Sequence, residues 1–119
     1  MSATTQAQQA ERFRALHTGP GLLVLPNAWD AISARLIEEA GFPAIATSSA
    51  GVAWALGYAD GERISRGEML AVVRRIVQGV RVPVTADVEA GYGATPEAAA
   101  ETGRYWFDRS HRFLPPAAM

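Results

Sequence analysis

Short apolar runs with the composition of buried strands alternate along this chain with segments that repeat at the 3.6-residue period of a helix. The clearest helical segment is 65–80, where apolar residues recur at the i, i+3, i+4, i+7, i+8 spacing of a helix packed on a core. Ser65 and Glu68 stand three residues apart at its start, which predicts a capping box. Strands and helices in alternation favour an α/β protein with a parallel sheet and right-handed crossovers.

The same patterns predict a first helix followed by three strand–helix units. The run Leu22–Leu25 is apolar at every position, as expected of a strand buried between two layers, and Pro26 and Asn27 end it. Thr95 and Pro96 are typical of an N-cap and first helical residue. The predicted helices are 6–16, 31–40, 65–80 and one that begins after Thr95; the predicted strands are 22–25, 44–47 and 82–86.

Composition limits the class of protein and the chemistry available to it. The 119 residues are 49% hydrophobic and 19% charged, which indicates one soluble globular domain rather than a disordered chain or a membrane span. A net charge of −1 provides no field to attract nucleic acid or a membrane surface, so we expect neither partner. The N-terminus lacks the features of a signal peptide, so we expect a cytoplasmic protein. There is no Lys and no Cys, which excludes a Schiff-base lysine and thiolate sites within these residues.

Asp87 and Glu89 follow the third predicted strand and are two positions apart. While the backbone is extended, residues at that spacing share one face, so both carboxylates can reach one ion. Two hard carboxylates with no Cys or His nearby suit Mg²⁺ or Mn²⁺ better than zinc. Gly91 and Gly93 would let the backbone turn tightly beside a ligand. The alternative left open by spacing alone is a strand end whose acids cap the next helix or face solvent.

A second candidate site follows the second predicted strand, at the sheet edge where parallel α/β proteins bind ligands. The segment 48–51 offers consecutive backbone N–H groups and the hydroxyls of Ser48 and Ser49, a composition suited to an anion. An ordinary turn of small residues remains the alternative here. Asp60 lies in the turn-like segment 57–61, where an aspartate is most often only a turn residue.

Five segments occur in a characteristic order: 25–35 (LPNAWDAISAR), 39–42 (EAGF), 47–52 (TSSAGV), 56–61 (LGYADG) and 83–93 (PVTADVEAGYG). Together they resemble the isocitrate lyase/phosphoenolpyruvate mutase superfamily over roughly residues 10–102. The resemblance is closer to the short bacterial mutase and methylisocitrate-lyase-like members than to full-size isocitrate lyases. A small doubly wound binding domain is a competing interpretation of the strand–helix order, but it does not account for these segments.

The resemblance implies an α/β fold that is the N-terminal portion of a (β/α)8 TIM-type barrel, about three of its eight strand–helix units. It implies a lyase or mutase that cleaves a C–C or P–C bond of a small α-oxy carboxylate through an enolate. The cofactor implied is Mg²⁺, with Mn²⁺ as an alternative, which stabilises the charge that develops on the α-oxyacid oxygen. A complete barrel is expected to be a homo-oligomer.

Site residues are implied by the same resemblance. Asp87 stands at the position of the family's direct metal ligand, Glu89 at that of a second acid that holds metal-bound water, and Asp60 at that of a further acid of the metal shell. The segment from Ser48 through Ser49 to Ala50 matches the one whose hydroxyl and backbone N–H groups bind the substrate's carboxylate end. Many members have Gly at the position of Ser49, so the details of that cradle differ here. Catalytic residues are not assigned.

The segment 103–119 departs from these patterns, because it is rich in arginine and aromatic residues without a helical or strand period. We therefore divide the chain into a partial barrel, 1–102, and an atypical tail, 103–119, that is either frameshifted or disordered. The family's later Glu, its Lys–Cys loop and a downstream Arg have no counterpart in the chain, so we expect a truncated polypeptide, inactive alone. A frameshift near codons 102–104 and a natural gene fragment are open alternatives. The alternative function is a non-catalytic remnant or interaction protein; the substrate is not predicted.

Overall fold

A computed structural model describes residues 6–110, in which helices surround a small parallel sheet. The elements in chain order are α1 (Gln6–Thr18), β1 (Asn27–Ala28), α2 (Ala31–Glu39), β2 (Ile45–Thr47), α3 (Ser49–Ala55), α4 (Arg66–Gly79), β3 (Val84–Thr85) and α5 (Pro96–Ser110). The α/β class is therefore confirmed. The short helix α3 was not predicted, since its sequence was interpreted as a turn.

The sheet has the order β1-β2-β3, and both pairs of neighbouring strands are parallel. Asn27 pairs with Ala46, and Ile45 pairs with Val84. Each strand is thus joined to the next by a helical crossover, and the carboxyl ends of all three lie on the same edge. This edge carries the segments that follow β2 and β3, which are the two segments that the sequence singled out.

The first strand does not lie where the sequence predicted it. Leu22–Leu25 is not a strand, Leu22 is 91% exposed, and pairing begins at Asn27, directly after Pro26. The Ala46 N–H donates to the Pro26 carbonyl at 3.1 Å, so the edge of β2 determines which residues pair. An apolar composition alone was therefore misleading, because a strand exists only where a neighbour offers hydrogen bonds.

Helix α4 holds the core together, because its apolar stripe packs against both the sheet and α3. Ser65 is the N-cap as predicted, accepting the Glu68 N–H at 3.1 Å. The reciprocal half of the predicted capping box does not form, because the Glu68 carboxylate accepts the Ser65 hydroxyl at 3.3 Å in place of the Ser65 N–H. Each fully buried aliphatic side chain of this kind contributes about 1.5–3 kcal/mol of transfer free energy. One buried cluster comprises Val52, Ile64, Met69, Leu70 and Val73; the other comprises Ala28, Ala34, Ile45, Ile76 and Val84.

Helix α5 extends further than the sequence indicated. Thr95 caps it as predicted, accepting the Ala98 N–H at 3.1 Å, and the helix continues to Ser110. The expectation that 103–110 lacks helical structure is therefore wrong. The alanine-rich first turns favour the helix, and the Glu101–Arg104 ion pair offsets part of the roughly 1 kcal/mol that Gly103 costs inside it. Residues 111–119 of the predicted tail lie outside the described residues.

Within residues 6–110, no helix has the combination of length and apolar composition that crossing a membrane requires.

Candidate functional site

The segments that follow β2 and β3 meet through a hydrogen-bonded pair, Ser49 and Asp87. Ser49 is the first residue of α3 and lies two residues beyond the end of β2, and Asp87 lies two residues beyond β3. The Ser49 hydroxyl donates to Asp87 Oδ2 at 2.7 Å, and the Ser49 N–H donates to the same oxygen at 3.3 Å. The structure thus brings together one residue of the predicted cradle and the predicted direct metal ligand.

Asp87 is fixed by its own backbone as well as by its carboxylate. Its N–H donates to Thr47 Oγ1 at 2.9 Å, which ties the end of β3 to the end of β2. The Glu89 N–H donates to Asp87 Oδ1 at 3.0 Å. A carboxylate offers two acceptor positions on each oxygen, so Oδ2 is fully used and Oδ1 retains one. Because Asp87 is exposed, that position is open to a ligand.

These contacts keep the Asp87 carboxylate ionised. Partial burial acts to raise the pKa of Asp87, but the hydrogen bond from the Ser49 hydroxyl, followed by those from the Glu89 and Ser49 N–H groups, outweighs it and lowers the pKa below the ordinary value of 3.8. An open, ionised carboxylate oxygen is the donor that a hard divalent cation requires.

Glu89 does not share a face with Asp87 in the way that the sequence suggested. Its φ of 52° lies in the left-handed region, so the extended backbone on which that prediction depended is absent at this residue. Its carboxylate oxygen Oε2 accepts the Glu62 N–H at 3.1 Å and the Tyr92 hydroxyl at 3.1 Å. Within the described residues no hydrogen bond falls on Glu89 Oε1.

Glu62 and Tyr92 belong to the site, although the sequence analysis did not identify them. Glu62 Oε1 accepts the Tyr92 N–H at 2.6 Å, and both residues have left-handed backbones, with φ of 60° and 57°. A non-glycine residue in that region costs roughly 1–2 kcal/mol. No local signal could have revealed this network, because Glu62 and Glu89 are 27 residues apart.

The Tyr92 hydroxyl is held as a hydrogen-bond donor. Burial raises the pKa of Tyr92 well above its ordinary value of 10.0, and the hydrogen bond to Glu89 and the charges of Glu89, Glu62 and Asp87 raise it further. The phenol therefore stays protonated throughout the neutral range, and there it can donate to Glu89.

Asp60 is exposed and its carboxylate accepts the N–H of the next residue, Gly61, at 2.9 Å. This is the arrangement of a turn residue, the alternative that the sequence left open. Among the residues that the structure describes, no group of three or more His, Cys, Asp or Glu side chains is arranged to hold a metal ion. Asp60, Asp87 and Glu89 are thus not assembled into one cage.

A cage is not a requirement for Mg²⁺, which usually keeps several waters and is bound through one or two carboxylates. Counting contacts within residues 6–110, Asp87 offers an ionised carboxylate with one open acceptor position, and Glu89 offers one oxygen, Oε1, without a hydrogen-bond donor. Both donors are hard oxygens. This donor set fits a hydrated hard cation bound at the carboxyl edge of the sheet.

The predicted cradle forms the first turn of α3. Ser48 is the N-cap, and its hydroxyl accepts the Gly51 N–H at 3.0 Å. Ala50 is the second residue of the helix, a position whose N–H has no partner within the helix itself. Gly51 must be small, because a Cβ there would lie 3.0 Å from the Trp29 Cβ. The hydroxyls of Ser48 and Ser49 are both engaged within the protein.

Gly91 closes the tight turn that was expected, since its φ is 90° and its N–H donates to the Val88 carbonyl at 2.9 Å, and both Gly91 and Gly93 also serve the packing of α5. A Cβ on Gly93 would lie 2.5 Å from the Ala98 Cβ, and a Cβ on Gly91 would lie 2.8 Å from the Ala99 Cβ. The buried Thr102 hydroxyl also donates to the Gly91 carbonyl. These glycines allow α5 to lie directly against the loop that carries Glu89 and Tyr92.

Comparison with known proteins gives consistent matches over most of the chain. The sequence model of the phosphoenolpyruvate phosphomutase family matches residues 13–107, past residue 102, where the resemblance was expected to stop. The 2-methylisocitrate lyase of Bacillus subtilis (strain 168) is 33% identical over 96 residues, which are 81% of this chain and 32% of that protein. The chain thus spans about a third of the length of the curated relatives it matches.

Solved structures show the same correspondence. The chain is 47% identical to a candidate lyase/mutase from Burkholderia cenocepacia J2315, with a TM-score of 0.82 over 88% of this chain and 38% of that one. It is 31% identical to the phosphoenolpyruvate phosphomutase of Streptomyces platensis subsp. rosaceus, with a TM-score of 0.77 over 83% of this chain and 34% of that one. The three strands and their helices therefore correspond to part of a TIM-type barrel.

Proposed function

The chain belongs to the phosphoenolpyruvate phosphomutase family, and from that premise we propose that it forms part of a Mg²⁺-dependent lyase or mutase. The reaction proposed is cleavage of a C–C or P–C bond in a small α-oxy carboxylate through an enolate, in the cytoplasm. The observation that carries the proposal is the Ser49–Asp87 pair, which places an open, ionised carboxylate beside the first turn of α3.

Asp87 would hold the cation directly, through the acceptor position that Oδ1 retains. Mn²⁺ would satisfy the same oxygen donors. When bound, the cation supplies Lewis-acid stabilisation of the negative charge that develops on the substrate oxygen. Glu89 Oε1 would hold water of the metal shell, and Asp60 is proposed as a more distant acid of that shell, since it is exposed and, within residues 6–110, its carboxylate accepts a hydrogen bond from the Gly61 N–H alone.

The first turn of α3 would bind the carboxylate end of the substrate. The N-terminus of a helix carries a partial positive charge, and the Ala50 N–H has no partner within the helix. The Ser48 hydroxyl caps this turn and retains its proton for a ligand, and the Ser49 hydroxyl, which donates to Asp87, retains lone pairs. Because Ser49 also contacts Asp87, a carboxylate bound here would lie next to the cation.

We propose that the 119-residue polypeptide alone does not turn over substrate, because its described residues, 6–110, supply three strands where the family's barrel has eight. Homo-oligomeric assembly belongs to the proposal only for a complete barrel. A non-catalytic interaction protein is the second candidate, and it is favoured by the exposed apolar side chains of Trp29, Ile32 and Leu36.

A metal titration tests the first of these proposals. The wild-type chain, Asp87→Asn and Glu97→Gln would be titrated with Mn²⁺ and followed by electron paramagnetic resonance, with Mg²⁺ added as competitor. We expect Asp87→Asn to weaken Mn²⁺ binding by at least about 100-fold, the upper end of what loss of an outer-shell partner costs. Glu97→Gln removes an exposed carboxylate from the first turn of α5 and should leave the affinity unchanged.

Equal Mn²⁺ affinity in the wild type and Asp87→Asn would contradict the assignment of Asp87. The same proteins would be incubated with 2-methylisocitrate, oxaloacetate and phosphonopyruvate, and pyruvate, succinate and phosphoenolpyruvate would be measured. Reactions with Mg²⁺ but no protein are the control, because oxaloacetate loses CO2 to give pyruvate in the presence of the cation alone. We expect no product above this control. Mg²⁺-dependent formation of any of the three products above it would overturn the proposed inactivity and identify the substrate class directly.

A further inference from the structure

Three residues from two separate loops form a closed ring of hydrogen bonds beside the candidate metal ligand. The Glu62 N–H donates to Glu89 Oε2 at 3.1 Å, the Tyr92 hydroxyl donates to the same oxygen at 3.1 Å, and the Tyr92 N–H donates to Glu62 Oε1 at 2.6 Å. The loop that precedes α4 is thereby tied to the loop that follows β3. Glu62 and Tyr92 each use a backbone N–H and a side chain, and Glu89 accepts both of its contacts on one oxygen, Oε2, so each contact depends on the others.

The same three residues are the only non-glycine residues of the described chain with a left-handed backbone: Glu62 at 60°, Glu89 at 52° and Tyr92 at 57°. Strained backbones persist where the surroundings over-determine them, and they concentrate at functional sites. The three strained backbones belong to the same three residues that form the ring, which indicates that the hydrogen bonds of the ring maintain the strained conformations. Tyr92 also packs against the buried cluster of Val52, Ile64, Met69, Leu70 and Val73, which anchors the ring to the core.

We propose that Glu62 is a positioning residue for the metal site, and this inference rests on the function proposed above. Both donors to Glu89 fall on Oε2, which fixes the orientation of the carboxylate and leaves Oε1 to the hydration shell of the cation. Glu62 contributes one of those donors through its N–H, and through Oε1 it holds the Tyr92 backbone that presents the other. It acts by fixing Glu89, without contact to the cation.

The side chain of Glu62 offers a matched pair of variants. Glu62→Gln keeps an oxygen that can accept the Tyr92 N–H but removes the negative charge, whereas Glu62→Ala removes both. The full chain and each variant would be titrated with Mn²⁺ by electron paramagnetic resonance. The metal-free proteins would be compared by ¹H–¹⁵N spectra at the Glu89 and Tyr92 amides. Glu97→Ala controls for loss of an exposed carboxylate elsewhere.

We expect Glu62→Ala to weaken Mn²⁺ binding about tenfold, the lower range for a partner that orients a ligand, and to move the Glu89 and Tyr92 amide resonances. Glu62→Gln should stay within about twofold of the wild type in affinity and retain those resonances, since outer-shell effects act through hydrogen bonds to the ligand. If Glu62→Gln and Glu62→Ala weaken Mn²⁺ binding equally, the negative charge of Glu62 determines the affinity and its hydrogen bond to Tyr92 does not. That result would overturn the proposal.

Unchanged affinity and unchanged resonances in Glu62→Ala would also overturn it. If the wild type binds no Mn²⁺, the metal function fails, and the amide resonances alone then decide whether Glu62 fixes Glu89 and Tyr92. Thermal unfolding of each variant separates a local effect from loss of the fold, because a positioning role leaves the unfolding temperature of Glu62→Gln at the wild-type value.

Discussion

At the scale of single residues, Ser49 connects the first turn of α3 to the Asp87 carboxylate and lowers its pKa. Its hydroxyl and N–H both reach Asp87 Oδ2, and the hydroxyl contact, at 2.7 Å, is the largest of the effects that lower the pKa of Asp87. Burial acts in the opposite direction. Ser49 is itself 7% exposed, so the pair joins a buried donor to an exposed acceptor.

The variant Ser49→Ala is therefore expected to raise the pKa of Asp87. Its unfolding free energy should also change less than that of the wild type as the pH falls from 7 to 3. A carboxylate with a depressed folded-state pKa stabilises the fold above the unfolded-state value of 3.8, and that contribution is lost as the pH falls through the folded pKa. At pH 7 we expect the variant to lose about 1 kcal/mol of unfolding free energy, which allows for solvent screening at the exposed carboxylate. The difference from wild type should shrink towards pH 3. Urea unfolding at the two pH values measures it.

Ser48→Ala is the matched control for that experiment, because it removes the N-cap of α3 and leaves the donors to Asp87 in place. We expect it to cost about 1 kcal/mol at both pH values. If Ser49→Ala loses the same unfolding free energy at pH 7 and at pH 3, the role assigned to the hydroxyl is contradicted. An Asp87 carboxylate that titrates in the variant as it does in the wild type, measured by NMR, would contradict it as well.

At the scale of elements, the connection between β3 and α5 determines the shape of the site. The loop carries Asp87, Glu89 and Tyr92, and α5 packs directly on its glycines. A Cβ on Gly93 would meet the Ala98 carbonyl carbon at 2.6 Å and the Ala99 nitrogen at 2.7 Å, and these are backbone atoms that cannot rotate away. The closeness of α5 to the loop therefore depends on the absence of a side chain at this position.

Gly93→Ala is expected to destabilise the protein by about 1–3 kcal/mol, the usual cost of overpacking a well-packed contact. Gly67→Ala provides the control, because Gly67 lies in α4 with nothing within 4 Å of an added Cβ. Alanine in a helix is favoured over glycine by about 1 kcal/mol, so this variant should be more stable than the wild type. Urea unfolding measures both, and a Gly93→Ala protein as stable as the wild type would disprove the close packing of α5.

Elements whose signals are local were predictable from the sequence. The stripe of α4, the caps at Ser65 and Thr95, and the position of β2 depend on neighbouring residues, and the structure confirms them. The position of β1 was not predictable, because the residues that form this strand are those that pair with Ala46 and Thr47, which are distant in the chain. Within the site, the ends of β2 and β3 were identified from the order of the segments. The contacts of Glu62 and Tyr92 were not, because they join loops that are distant in the chain.

At the scale of the whole molecule, the part of the chain that the structure describes leaves β1 and β3 at the edges of the sheet and exposes apolar side chains on α2. Within residues 6–110, β1 and β3 each pair with β2 alone. Beside β1, three large side chains are exposed: Trp29 by 44%, Ile32 by 62% and Leu36 by 60%. Open strand edges and contiguous apolar surface favour association with other chains. The related barrels close their sheets, and closure removes such edges.

The 119-residue chain is therefore expected to self-associate at micromolar concentrations and to unfold over a broad temperature range. Replacing Ile32 and Leu36 together by Gln should reduce the mean mass measured by light scattering, because the replacement removes apolar surface without disturbing a buried contact. Arg74→Gln with Arg75→Gln, two exposed changes on α4, should leave the mass unchanged. Adding Mg²⁺ should raise the unfolding temperature if the cation binds the folded chain, because a ligand that binds the folded state stabilises it. A monomer that unfolds sharply without Mg²⁺ would contradict this prediction and would show that three strand–helix units form a stable fold without the rest of a barrel.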